Sequence, residues 1–276
     1  MKVVDSFIFY NELDLLKYRL VLLDKYVDNF ILVEARYTHS GREKELYYDT
    51  NKHLFEEFNH KIIHIILDQL PHKYPNINYG ANHAWQNENF NRNQIALGID
   101  KIAMDLEDDD VILTSDLDEI TNPEILIKLR NNTLEFDRDR LNKLALDFYY
   151  YNLNTLLGRE SWHGVKLLTY RAYKALKFTF QTMRVYEHSA YVRTIPNGGW
   201  HLSYFGDVEF IKNKLQHFAH QEFNNAQYVN NEFIMEHIKN KTNMFDSKCK
   251  IEYIKTTDNK FLPPQYETYL SKYYLE

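Results

Sequence analysis

Two aspartates, Asp116 and Asp118, stand where the apolar run Val111-Ile112-Leu113-Thr114-Ser115 gives out. A short β-favouring run of this kind reads as a strand buried on both faces of a sheet, which puts the carboxylates at its C-terminal end. Ligands of open α/β sheets bind at that edge. Two carboxylates at i and i+2 can both turn toward one hard divalent cation, Mn2+ or Mg2+, which takes oxygen ligands and shares itself with substrate phosphates. On this reading Asp116-x-Asp118 is a metal-diphosphate grip. The tripeptide by itself also permits a solvated exit from the strand, with Asp118 or Thr121 capping the next helix.

The flanking elements support the grip. Phe90, Ile95, Ile99, Ile102 and Leu106 recur near helical spacing and predict a helix of roughly five turns leading into the strand. Downstream, Thr121-Asn122-Pro123 opens another helix. Nearer the start, Lys2 to Phe9 reads as a strand, Leu13, Leu16, Leu20, Leu23 and Val27 as a helix face, and Asn29 to Glu34 as a second strand. Strand, helix, strand is the beginning of a doubly wound α/β unit. A third strand spans Lys61 to Leu67. The Asn-rich stretch introduced by Pro71 and Pro75 reads either as a lid over a nucleotide or as ordinary surface loop, with a helix from about Asn87 that carries Arg92 near its N-terminus. The later half holds strands at Leu144 to Tyr151, Val165 to Thr169, Met183 to Tyr186 and Tyr191 to Thr194. A Pro196-Asn197-Gly198-Gly199 turn follows, then helices begun by Asp207 and centred on Phe233 to Ile238.

Several chemistries are excluded. Gly-x-Gly-x-x-Gly and the Walker phosphate loop are missing, so a metal or side chains must hold any phosphate. Glu107-Asp108-Asp109-Asp110 precedes the Val111 strand, about 17 Å from its far end at roughly 3.4 Å per residue, and reads as a solvated turn. His217-Phe218-Ala219-His220 lacks the Cys partners or neighbouring Glu of a zinc site. A net charge of -6 without a basic run argues against nucleic acid or an anionic membrane as partner. Cys249 is the single cysteine, which rules out an internal disulfide. No signal segment or apolar run near the roughly 18 residues of a spanning helix is seen, so the chain is expected to be soluble and cytoplasmic. Its 276 residues, 44% hydrophobic, suit one domain.

An ordered set of segments resembles glycosyltransferase family 17, the family of the β1,4-mannosyl-glycoprotein β1,4-N-acetylglucosaminyltransferase. The set comprises Phe9 to Leu16, Val27-Asp28 with Phe30 to Glu34, Gly41 to Leu46, and Asp109 to Ile120. It continues with Gly199-Trp200-His201-x-Ser203, Glu209, Lys214 and Pro263-Pro264. Arg92-Asn93 ahead of a strand ending in Asp-x-Asp is similar to the wider group of nucleotide-sugar transferases with the GT-A fold. The resemblance implies a GT-A-like α/β fold with a mostly parallel central sheet flanked by helices. It also implies an inverting, metal-dependent transferase that takes a UDP-sugar, UDP-N-acetylglucosamine first, and a glycan acceptor. The chain departs from the animal members in having no membrane anchor or stem and few cysteines.

Inverting transfer needs charge neutralisation of the departing diphosphate, a base for the acceptor hydroxyl, and exclusion of water. Asp116 and Asp118 are the candidates for the metal, with Asp116 also facing the donor. His201 is a third candidate ligand or, alternatively, a buried histidine beside Trp200. Glu209 is the preferred base over Glu119, whose pKa a neighbouring cation would lower. Glu209 also reads as an ordinary acidic residue at a helix N-terminus. Lys214 is assigned to the diphosphate and Arg92 to an anion at its helix end or to plain solvent exposure. Asn11 and Glu34 end the first two strands and are assigned to uracil or ribose. Trp200 and Trp162 are assigned to an acceptor sugar or to the core. A glycoside hydrolase, or a non-catalytic carbohydrate- or nucleotide-binding module, is the rival reading.

Overall fold

The computed structural model describes residues 1–187, 192–246 and 248–274. Its first part is built from β1 (Val3–Phe9), α1 (Leu13–Leu23), β2 (Asn29–Ala35), a short α2 (Tyr47–Thr50), β3 (Ile62–Leu67), α3 (His83–Asn93), α4 (Ile95–Ile102) and β4 (Val111–Asp116). These four strands are parallel in the order β3-β2-β1-β4. Their apolar runs serve both faces: Val111 and Leu113 join the core that includes α1, while Ile112 joins the one that includes Ile95 and Ile99 of α4. The chain moves from β1 to β2 on one side and returns to the other side of β1 as β4. The crevice beyond the carboxyl ends of β1 and β4 is therefore a topological switch point.

Beyond β4 come β5 (Glu119–Thr121), α5 (Pro123–Arg130), β6 (Asn142–Tyr150), β7 (Thr155–Trp162), β8 (Lys166–Thr169), α6 (Tyr170–Leu176) and α7 (Phe180–Val185). They are followed by β9 (Arg193–Ser203), α8 (Val208–His217), α9 (Asn231–Asn240), β10 (Glu252–Tyr253) and α10 (Tyr266–Tyr269). The same sheet runs on through β8, which is antiparallel to β4, then β6, β7 and β10. Strand β9 lies parallel to β6 and antiparallel to β5, which carries it back to the end of β4. The tyrosine-rich tail packs onto the α1 face, with Leu270 fully buried.

Some elements differ from the sequence expectation. The long helix before β4 is two helices meeting at Gln94, and α3 begins at His83, so Arg92 lies in its last turn. The stretch after β3 is not a free lid. The buried Asn87 side chain donates to the carbonyls of His39 (3.0 Å) and His72 (2.8 Å) and accepts from the His72 amide, which staples it down. Met183 to Tyr186 is not a strand: Thr179 caps a helix there by accepting from the Thr182 amide. Of the expected strand at 191–194, Tyr191 lies outside the described residues, and Arg193 and Thr194 open β9. The Pro196–Gly199 turn is instead a bulge within β9, where the register against β6 skips between Leu144 and Leu146. Gly199 has φ +141°, and a Cβ there would meet the Ile120 carbonyl oxygen at 2.0 Å. Asp110 of the acidic turn is buried, accepting from the Lys2 and Glu107 amides, while Asp108 and Asp109 face solvent. Among the described residues no helix is long and apolar enough to cross a membrane.

Candidate functional site

A cavity of about 360 Å³ opens at the switch point, floored by the ends of β1, β2 and β4. Helix α3 and α7 supply part of its wall, α8 and the end of β9 another. Asp116 and Asp118 both line it. Neither Asp118 nor Thr121 caps α5; that cap is Asn122, which accepts from the Glu124 amide at 3.0 Å.

What presents the two carboxylates is a buried cation beneath them. Arg19 of α1 has no exposure and forms a two-pronged pair with Asp5 (2.8 and 2.6 Å). Its remaining N–H groups donate to the carbonyls of Asp116, Leu117 and Glu119 at 3.0, 3.1 and 2.9 Å, and to Ser115 Oγ at 2.7 Å. The turn after β4 is thus pinned from inside the core. Leu202 donates from β9 to the Asp118 carbonyl at 2.8 Å and fixes it from the other side.

Each carboxylate meets cations. Asp116 accepts from Arg92 and, at 2.8 Å, from Arg184 of α7. Burial alone would raise its pKa, but Arg184 and Arg92 outweigh that and hold it at about 2. Asp118 accepts from Lys214 at 3.0 Å and stands 3.7 Å from His201 Nε2. Burial opposes its charge as well, yet Lys214 and His201 keep its pKa far below the usual carboxylate range. Arg92 also donates to Glu88 (2.7 Å) and Gln181 (2.9 Å). His39, 3.5 Å from Glu88, has its pKa lowered by burial.

His201 packs in a three-ring cluster with Phe148 and Trp162, its centroid 4.4 Å from each with planes within 24° and 30°, and those two rings lie 5.1 Å from one another. The His201 Nδ1 is buried with no hydrogen-bond partner. Asp116 and Asp118 offer carboxylate oxygens, and His201 a ring nitrogen, of the kind a divalent ion takes as ligands. Among the described residues no three metal-type side chains stand close enough to hold an ion by themselves. Glu12, Glu88, Asp116 and Asp118 face Lys44, Arg92, Arg184 and Lys214 across the cavity, so acidic and basic side chains line it in equal number.

A family model described as glycosyltransferase family 17 matches residues 1–253. This chain belongs to glycosyltransferase family 17. No curated protein sequence matches it. Among solved structures it is similar to the inositol-1-phosphate CTP transferase from T. maritima, at 13% identity and TM-score 0.36, over 71% of this chain and 84% of that one. It is also similar to the glycosyltransferase GlyE in Streptococcus pneumoniae TIGR4, at 12% identity and TM-score 0.39, over 100% of this chain and 61% of that one. The family 17 chain has the α/β, GT-A-like arrangement of a curled sheet flanked by helices.

Of the residues singled out in the sequence, Asp116, Asp118, Arg92, Lys214, His201 and Trp162 are brought together at the cavity of this glycosyltransferase. Arg92 does so as a guanidinium on Asp116, not as part of a helix N-terminus. The others are not brought there. Glu119 is fully buried and spent on Arg184 (2.6 Å to each oxygen), Trp162 Nε1 and the Asp116 amide, so it braces the grip and has no room to act as a base. Glu209 is exposed on α8 and pairs with Asn231 at 2.6 Å. Glu34 is fully buried, accepting from the Tyr48 and Asp49 amides and facing His64, which anchors α2 to the sheet. Asn11 lies in the turn after β1 and does not line the cavity. Trp200 is core, its Nε1 donating to the Phe261 carbonyl at 2.7 Å.

Sequence reasoning missed Arg19, Arg184, Glu12, Glu88, Lys44 and Trp85. Only Arg19 left a legible trace: a charge set into the Leu16, Leu20 and Leu23 stripe, with Asp5 likewise set into an apolar strand.

Proposed function

We propose that this family 17 chain is an inverting, metal-dependent transferase that moves N-acetylglucosamine from its UDP-sugar to a hydroxyl of a glycan. The observation that carries this reading is the meeting of Asp116 and Asp118 with Arg92, Arg184 and Lys214 in one cavity at the switch point. The whole chain acts as one domain, with residues 1–120 serving the nucleotide and 121–276 the acceptor. A manganese or magnesium ion would be held by Asp116 and Asp118, with His201 as a further ligand, and would act as a Lewis acid on the departing diphosphate. Lys214 and Arg184, already beside the carboxylates, bind the diphosphate from the protein side.

The base is drawn from the carboxylates that remain in the cavity, Glu12 and Glu88. Glu12 takes up its own neighbour's amide, Asn11 N–H, at 3.1 Å. We assign the proton to Glu88, whose Oε1 is held by Arg92 at 2.7 Å and whose Oε2 is left to accept it. The buried walls of the cavity, Phe9, Ala35 and Leu117 among them, exclude water from the reacting carbon.

The test is release of UDP from UDP-N-acetylglucosamine, and transfer to a glycan, with Mn2+, with Mg2+ and with EDTA. Asp118→Ala is expected to lose at least about a thousandfold in turnover, a size typical of losing a main electrostatic group, while the far-UV spectrum and melting temperature are kept. Full activity in EDTA would sink the metal, and full activity in Asp118→Ala would sink the site.

A further inference from the structure

Helix α3 presents Trp85, Glu88 and Arg92 to the cavity at spacings of three and four, which places them on one face. Arg92 grips Asp116, and Trp85 lies seven residues back, about 10 Å along the helix axis at 1.5 Å per residue. There Trp85 meets His220, which follows α8, edge to face with ring centroids 4.4 Å apart and planes at 80°. The His220 ring is oriented by Glu222, whose Oε1 stands 2.7 Å from Nδ1, so that Nε2 remains to meet a hydroxyl. Val185, 62% exposed, adds an apolar wall to the same cavity. A half-buried indole, an oriented imidazole and an aliphatic neighbour form a surface that suits a pyranose, with an apolar C–H face for the ring and a polar edge for its hydroxyls.

Trp162, the other indole at the cavity, is not free for this task. Its ring stacks on His201, its Nε1 is held by Glu119, and the Arg184 guanidinium stands 5.8 Å from its centroid. The ends of β1 and β2, with Phe9, Tyr10, Ala35 and Tyr37, line another part of the cavity, and Trp85 of the first half meets His220 of the second at its rim. We infer that Trp85 and His220 form the acceptor subsite, a platform for a hexopyranose ring of the acceptor glycan. This rests on the transferase reading above.

The experiment uses the full chain with UDP-N-acetylglucosamine and a panel of p-nitrophenyl α- and β-hexopyranosides of glucose, galactose, mannose and N-acetylglucosamine. It measures UDP release without acceptor and transfer with acceptor. Trp85→Ala is expected to raise the acceptor KM about tenfold or more, the equivalent of one stacking contact. Trp85→Phe should raise it less than about threefold, and acceptor-free UDP release should stay within about twofold in both. A KM unchanged in Trp85→Ala, or UDP release falling in parallel with transfer, overturns the subsite; the latter would make Trp85 a donor wall. His220→Ala, which leaves the indole in place, guards against a misfolded Trp85 variant and should also raise the acceptor KM with UDP release kept. If the wild type releases UDP but transfers to no panel member, the hexopyranose assignment fails. If it releases none, the transferase reading fails instead.

Discussion

The two halves of the sheet solve the same problem differently. From β3 to β4 the strands are parallel, regular and apolar on both faces, and their polar groups are delivered only at the carboxyl edge. From β5 to β10 the strands run in mixed directions, β6 carries register shifts against both β7 and β9, and residues between regular pairs are polar and half-buried. The first half is a rigid platform whose geometry follows from burial. The second wraps a bulged strand back to that platform and adds His201, Ser203 and the α8 residues as the opposing wall. The lesson is that the first half delivers the two carboxylates, the core being shared by both halves, while the shape of the cavity is decided where the second half touches the first.

The strongest way to break this division is at Arg19, where core and site are one. Arg19→Ala strands the Asp5 carboxylate in the interior and leaves three carbonyls without their donor. The expected cost is about 3–5 kcal/mol of stability, measured by urea unfolding. A loss below about 1 kcal/mol would show that the turn after β4 holds itself up without the guanidinium.

Next in size is Gly164, which joins β7 to β8. A Cβ there would meet Arg184 Nη1 and Glu119 Oε1 at 2.0 Å. Gly164→Ala is expected to cost about 1–3 kcal/mol by overpacking and to lower turnover by pushing Arg184 off Asp116. Stability loss with turnover intact would mean that Arg184 has no part in holding the grip.

Acidification sharpens the comparison more gently. The Asp116 carboxyl is held at about 2, below its unfolded value of about 3.9. Its contribution is therefore fully present above about pH 4 and is lost as pH falls toward 2. Asp116→Asn should flatten the fall in melting temperature over that window, and an unchanged slope would assign acid lability to other carboxylates. The smallest effect is expected at Glu209, exposed on α8 away from the cavity. Glu209→Ala should leave turnover within about twofold, since surface changes of this kind are near neutral. A large loss there would return Glu209 to the chemistry.

How much of this could be read from sequence follows the same division. The strands from β1 to β4, the α1 crossover and the Asp116-x-Asp118 exit were legible, because an apolar run buried on both faces has few alternatives. The cap at Asp207 and the start of α5 at Pro123 were legible too, although the α5 cap is Asn122 and not Asp118 or Thr121. The second half was harder. Strand β7 holds Gly158, Arg159 and Glu160 and shows no alternation, while α7 starts from a Thr179 cap that a short apolar run disguises as strand. Pro196 to Gly199 carries turn chemistry, yet the pairing of β9 with β5 and β6 on either side keeps it inside a strand as a bulge. Among site residues, Asp116 and Asp118 were found from local pattern. Arg184, Glu88 and Trp85 reach the cavity only through tertiary packing, and Glu34, placed by pattern at a strand end, and Trp200, placed after a turn, are consumed by contacts that no local pattern encodes.

The pinning of the post-β4 turn by a residue of the first helix bears on how such enzymes can diverge or be re-engineered. The turn is not a module that can be exchanged alone. A donor loop moved into another member of the family would leave its carbonyls facing oil unless Arg19, Asp5 and Ser115 travelled with it. Changes in what the cavity binds are thus expected to come from its walls, at residues such as Lys214 of α8 and Trp85 of α3, and not from the turn itself.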